Sequence, residues 1–210
     1  MLQIKVFVFN PVMVNTYLLY DETKEATIID CGASTAAEKA QLSGFIKSNG
    51  LILKQLLNTH LHFDHVLGNH FVYANYGLKP KYNSGDELMQ QSMSRISPIR
   101  YDPVLAGDYL NENDEISFGN TTLKVFQTSG HSPGSLSFYS EKDGCVFTGD
   151  ALFHLDIGRT DLWGGNYSEL ITSIREKLLT LPGETVVYPG HEEPSTIEEE
   201  KLNNPHLRRL

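Results

Sequence analysis

The chain predicts an α/β fold, and three observations carry that reading. Short strand-like runs recur in both halves of the 210 residues, each set leads into a helix-periodic stretch, and a hydrophobic share of 40% supports one sizeable core. Segments 3–9, 15–20 and 26–30 read as three strands of a meander, separated by turn residues at Asn10-Pro11 and Asp21-Glu22-Thr23. Ser34 then precedes an alanine-rich stretch with Glu38 and Lys39, which predicts an N-cap and a helix running to Gly50. A strand follows at 53–58, a helix at 66–76, a short strand at 80–83, and a helix from Ser84 or Asp86 into the nineties. From Glu115 the strand pattern returns at 115–118, 121–128, 135–140 and 145–148. Residues 167–180 place Leu170, Ile171, Ile174, Leu178 and Leu179 on one helical face, and 185–188 is a last strand. The β-then-α order thus appears twice. With no linker rich in Gly, Ser or Pro, residues 1–210 read as one domain made of two similar halves. The least regular piece is 94–111, with Pro98, Pro103 and Gly107, which serves either as a plain surface loop or as a pocket cover.

Composition removes several functions. The net charge is −9, with 26 acidic against 17 basic residues and no basic cluster, so nucleic acid is not an expected partner. No apolar run is long enough to cross a bilayer, so no membrane partner is expected. The start of the chain alternates like a strand and lacks the layout of a signal peptide, which predicts a cytoplasmic protein. Cys31 and Cys145 belong to no Cys-x-x-Cys pair and are expected as small buried thiols.

The chemistry is concentrated at Thr59-His60-Leu61-His62-Phe63-Asp64-His65, which puts four metal-ligating side chains into six consecutive residues directly after an apolar run. Crowded imidazoles repel one another on protonation and lose solvation on burial, so packing alone gives no reason to assemble them; a cation removes both penalties. Three further candidates each follow β-type sequence and a glycine: His131, Asp150 and His191. Glycine allows a sharp exit from a strand, so that the next side chain turns toward a common edge. An isolated His or Asp in such a turn is more often structural, but joint occurrence with the dense cluster reverses that. Tetrahedral zinc takes four ligands; seven suit two ions sharing a bridge, and exceed what a purely structural zinc module needs.

These residues resemble the metallo-β-lactamase fold family, whose His-x-His-x-Asp-His motif matches His60, His62, Asp64 and His65. The resemblance implies a four-layer αββα sandwich, two β-sheets flanked by helices, with the metals at one edge. It also implies that His60, His62 and His131 hold one ion and Asp64, His65 and His191 the other, with Asp150 bridging. Within the family, the loop 150–165 and the ending 203–208 resemble the compact glyoxalase II-like (hydroxyacylglutathione hydrolase) branch. Its Gly-Arg-Thr-Asp element is similar to that of persulfide dioxygenases, and both groups act on glutathione derivatives. Arg159 matches the basic residue that contacts the glutathione carboxylate, a task suited to the planar guanidinium fork. An ion pair with Asp156 or Asp161 is its structural alternative. Asp161 stands where the full-length hydrolases have an aromatic side chain, which removes a hydroxyl contact.

The function expected from the resemblance is hydrolysis of a glutathione thioester such as S-lactoylglutathione. A metal-bridging hydroxide is the nucleophile, and Asp64 both ligates and orients it. Two divalent ions are the expected cofactors, zinc first, with iron or manganese also accepted by His and Asp. The partner is a small anionic thiol conjugate; the sequence is silent on oligomeric state. An iron-dependent persulfide dioxygenase, or a hydrolase of another thioester or a lactone, is the alternative. His70 reads as structural. His154 and His206 are not assigned, Trp163 packs the loop or faces substrate, and Phe7 and Phe9 read as core.

Overall fold

Several strands are covered on both faces. In β2 (Val14–Tyr20) six of seven residues are buried, and in β10 (Cys145–Gly149) all five are. That double burial defines the layers. In the computed structural model, which describes residues 1–101 and 107–208, two six-stranded sheets stack face to face. The first runs β1 (Gln3–Phe9), β2, β3 (Glu25–Ile29), β4 (Ile52–Leu57), β5 (Pro80–Tyr82), β6 (Asp108–Tyr109). The second runs β14 (Ser195–Thr196), β13 (Val186–Pro189), β10, β9 (Leu136–Ser140), β8 (Thr121–Gln127), β7 (Glu115–Phe118). Each half opens with antiparallel pairs and then crosses over to a parallel neighbour, β3 to β4 and β10 to β13.

Three apolar clusters separate the four layers. Between the sheets, Tyr17, Leu19, Ile29 and Leu57 meet Phe118, Val125, Phe138 and Phe147. Outside the first sheet, Leu18, Ile28 and Leu56 pack on Leu42 and Ile46 of α1 (Ala36–Ser48) and Val72 of α3 (Asn69–Tyr76). Outside the second, Val146 and Val187 pack on Leu170 of α5 (Tyr167–Ser173), on Ile174 and Leu178 of the wider turn that continues it, and on Ile197 of α6 (Ile197–Asn203). The αββα sandwich is therefore present, and Phe7, Phe9, Cys31 and Cys145 are buried within it. No helix among the described residues is long and apolar enough to cross a membrane.

Local differences from the sequence reading have identifiable causes. The N-cap of α1 is Thr35, not Ser34: Thr35 Oγ1 accepts from the Glu38 amide, and Glu38 Oε2 accepts from the Thr35 amide in return. The expected helix at 66–76 is two, α2 (Phe63–Val66) and α3. They are separated where Gly68 lies so close to Cys31 that a Cβ would overlap its sulfur. The short strands β6, β11 (Leu152–Phe153), β12 (Asp156–Ile157) and β14, and the helix α6, had no sequence signal. Of the irregular segment, Tyr101 packs against the cluster around Leu61, while 102–106 lie outside the described residues.

Glu38 also ties the β1–β2 turn to α1, since its carboxylate accepts from the amides of Asn10, Ser34 and Thr35 and from the Ser34 hydroxyl. Burial opposes its ionisation, but these donors win and hold its pKa down at about 2, below the ordinary value of 4.5. The stabilisation is present above pH 4.5 and is lost as pH falls through about 2. Glu38→Gln is expected to cost roughly 1–2 kcal/mol at pH 7. The cost should shrink in acid, which chemical denaturation at pH 7 and pH 3 checks.

Candidate metal centre

Every side chain of the cluster comes from a strand end on the same edge of the sandwich. His60 and His62 leave β4, Asp64 and His65 lie in α2, His131 lies between β8 and β9, Asp150 follows β10, and His191 follows β13. The seven residues singled out in the sequence are brought together. His131 Nε2 stands 2.8 Å from His62 Nδ1 and 3.3 Å from His60 Nε2. His191 Nε2 lies 3.2 Å from Asp64 Oδ2, and His65 Nε2 lies 3.6 Å from the same oxygen. Asp150 sits between the two groups, 3.3 Å from His65, 3.5 Å from His131, 3.7 Å from His191 and 4.0 Å from His60.

The glycines before the later ligands serve different ends. Gly149 adopts φ +52, a conformation that strains any side-chain-bearing residue, and so turns Asp150 inward. Gly190 does not need that freedom. Its role is space, because a Cβ there would overlap Asp150 Oδ1 and crowd the His65 ring.

The tautomers are set from behind. Thr59 Oγ1 donates to Asp30 Oδ2 (2.6 Å) and is therefore left to accept from His60 Nδ1 (3.0 Å). His65 Nδ1 is 2.8 Å from Asp30 Oδ2, and His131 Nδ1 donates to the Arg159 carbonyl at 2.8 Å. With these bonds on Nδ1, the Nε2 atoms of His60, His65 and His131 all point into the cluster. Burial lowers the pKa of His60, reinforced by neighbouring His65 and His62; burial likewise brings His62 down to about 3, so these rings are neutral. Burial opposes protonation of His65 as well, but the carboxylates of Asp150, Asp64 and Asp30 hold its pKa well above the ordinary value. Burial would raise Asp150; the adjacent His65 overrides it and keeps that carboxyl well below the usual range.

The neutral His60 and His131 rings present their Nε2 lone pairs to the ionised Asp150, acceptor against acceptor, and His65 Nε2 and Asp150 Oδ1 are buried with no hydrogen-bond partner. A cation satisfies all of these at once, so the residues fit two metal ions, one among His60, His62 and His131 and one among Asp64, His65 and His191. Asp30, His60 and His65 also approach one another closely. The Asp30 carboxylate is already occupied, however, accepting from the Thr59 amide (2.8 Å), the Thr59 hydroxyl and His65. It orients ligands and does not join them.

The sequence reading does not single out Asp30; its one signal there is a carboxylate closing the run Ala26-Thr-Ile-Ile29, and the structure holds it at φ +54. Asn15 and Tyr17 were missed too. They reach from β2 to the Pro189 carbonyl, at 3.1 and 2.6 Å, and Asn15 also donates to the Glu192 carbonyl, fixing the turn that carries His191.

A cavity of about 540 Å³ opens beside the centre, lined by Val8, Val12, Met13, Asn15, Asp150, Phe153, Arg159, His191 and Glu192. The Arg159 guanidinium is exposed at its rim and makes a two-pronged pair with Asp161 at 2.7 and 2.8 Å. The other histidines lie outside the cluster. His70 is exposed, His154 pairs with Glu199 and Glu193, and His206 pairs with Asp156. Trp163 is half exposed in its loop.

An αββα sandwich with two ligand groups sharing an aspartate at one edge defines a metal-dependent enzyme. The chain belongs to the metallo-beta-lactamase superfamily, whose family model matches residues 9–191. It is 38% identical over 205 residues to the human mitochondrial persulfide dioxygenase ETHE1, covering 95% of this chain and 74% of that protein. It is 36% identical over 199 residues to the hydroxyacylglutathione hydrolase GloC of Haemophilus influenzae, covering 92% of each. Among solved structures, TTHA1623 in a di-iron-bound form superposes with a TM-score of 0.85 at 31% identity, covering 96% of this chain and 98% of that one.

Proposed function

We propose that this protein hydrolyses a thioester of a small anionic thiol, with a glutathione conjugate such as S-lactoylglutathione as the model substrate. The observation that carries this reading is Asp150, within 3.3–4.0 Å of histidines from both ligand groups, a position that suits a bridge between two ions. In this reading His60, His62 and His131 hold one ion, Asp64, His65 and His191 hold the second, and zinc, iron and manganese are all compatible with the donor set. When bound, two such ions lower the pKa of a shared water from about 15.7 to near neutral and polarise a carbonyl.

The chain's own residues do the rest. Asp64 orients the attacking water by accepting its hydrogen bond. Oxygen adds to the thioester carbon, the C–S bond breaks, and the sulfur departs with the bonding pair as a thiolate. A thiolate needs no protonation to leave, so the step requires no general acid. Val8, Val12, Met13 and Phe153 give the cavity an apolar wall against which the acyl group can pack.

Arg159 binds the thiol's carboxylate by exchanging it for Asp161. Solvent screens an exposed pair of this kind, so the exchange costs little. Arg159→Ala is expected to raise KM about ten-fold or more while leaving kcat within about three-fold, and Asp161→Asn to lower KM. Steady-state kinetics on S-lactoylglutathione check both, and equal losses in kcat and KM would remove Arg159 from binding. The deciding experiment measures metal content, thioester hydrolysis and oxygen uptake with glutathione persulfide on one purified sample. Two metals with hydrolysis support the proposal; one iron with oxygen uptake replaces it with a persulfide dioxygenase.

A further inference from the structure

Asp86 is fully buried and, among the described residues, has no cationic partner. It closes a short turn, Ser84–Asp86, at the start of α4 (Glu87–Ile96), itself held by Asn83, whose Oδ1 accepts from the Gly85 amide and whose Nδ2 donates to the Leu110 carbonyl. Its carboxylate spans the two halves of the molecule. Oδ2 accepts from the Leu61 amide at 3.0 Å and from the Ser132 hydroxyl at 2.9 Å, and Oδ1 accepts from the Gly134 amide at 2.6 Å. Leu61 lies between His60 and His62 on the loop leaving the first sheet. Ser132 and Gly134 belong to the loop of the second sheet that carries His131. Gly134 lacks a side chain where a Cβ would press on the Asp86 carboxyl, so the close approach is built into both partners.

We infer that Asp86 is a positioning residue that clamps the His60–His62 loop to the His131 loop and thereby sets the spacing of the three-histidine group. This rests on the reading that those histidines hold a metal ion. The clamp is selective. Its bonds reach the loops of His60, His62 and His131 and none of the residues flanking His191, whose turn is held instead by Asn15 and Tyr17. A second tie between the same halves, the Leu136 amide to the Thr59 carbonyl at 2.7 Å, lies before His60 and does not reach between His60 and His62 as the Asp86 bond to Leu61 does. A carboxylate buried without a counter-ion is costly, and here it supplies the acceptors for three donors drawn from the two loops. Burial pushes the Asp86 carboxyl up to about 6 despite its three donors, which measures that cost.

The test separates the two ligand groups. In a His191→Ala background one ion remains, at His60, His62 and His131; in a His62→Ala background one remains, at Asp64, His65 and His191. Asp86→Asn keeps the shape but turns one acceptor into a donor. Zn2+ affinity, measured by competition with a chromophoric chelator, is expected to fall about ten-fold in the first background and to change less than about three-fold in the second. Ser132→Ala, which removes one of the three bonds and spares the carboxylate, is expected to follow the same pattern with a loss of about three-fold, and carries the test if Asp86→Asn does not fold. Equal losses in both backgrounds, or none in the first, overturn the inference. Failure of the His191→Ala protein to bind zinc at all overturns the three-histidine reading itself, and the inference with it.

Discussion

Asp150→Asn is expected to lower kcat/KM for thioester hydrolysis by about three orders of magnitude, the largest loss from a single isosteric change in this protein. The reason is its place between two groups of neutral or mutually repelling ligands. Asp150 lies within 4.0 Å of four histidines, and its Oδ1 has no other partner. An amide keeps the shape but removes the negative charge and presents N–H to one side, so under the proposed two-ion reading one ion would lose a ligand. Electrostatic stabilisation supplied by such ions is worth several kcal/mol, and about 4 kcal/mol corresponds to a thousand-fold in rate. Metal analysis of the same sample should show fewer than two ions per chain. A variant that retains two ions and activity within ten-fold of the parent would remove Asp150 from the bridging role.

Asp30→Asn is expected to have the second largest effect, and on two observables. Asp30 is buried and accepts from the Thr59 amide, the Thr59 hydroxyl and His65 Nδ1, and Asn58 Nδ2 approaches at 3.4 Å. An asparagine cannot satisfy these donors, and its NH2 would oppose one of them. Breaking one member of a buried charged network costs about 3–5 kcal/mol, and at about 2–4 °C per kcal/mol the metal-free protein should melt roughly 10 °C lower. Released from Asp30, His65 loses its fixed tautomer, and affinity at the Asp64, His65 and His191 group should fall by up to about 100-fold. Thermal unfolding of the metal-free form and chelator competition read the two effects separately. Lowered affinity with unchanged melting, or the reverse, would show that the carboxylate serves only one of these roles.

Much of this architecture was legible from local pattern. The strands of both halves and α1 announce themselves by apolar runs bounded by turn residues, because strand and helix periods are set within a few residues of chain. The ligand set was legible for a different reason. Four ligands within 60–65 exceed anything packing requires, and each later candidate follows a glycine. Elements without a local signal escaped notice. β6, β11, β12 and β14 are two residues each and exist through their neighbours, and α6 follows a run of polar residues whose Thr196 cap is recognisable only once the chain turns there. The break between α2 and α3 depends on Gly68 meeting Cys31, a contact between segments over thirty residues apart.

The seven ligand types, their order and the α/β class were determined by the sequence, since each follows from residue chemistry and short-range spacing. Tertiary structure alone decided which nitrogen of each imidazole faces inward, that Asp30 orients ligands and does not bind with them, and that Asp86 joins the two halves. The physical reason is distance along the chain. Thr59 and Asp30 are 29 residues apart, Asp86 and Gly134 are 48, and Tyr17 and Pro189 are 172. The first of these bonds forms once β3 has paired with β4, and the other two only after the two sheets have stacked, so no local pattern of residues records them.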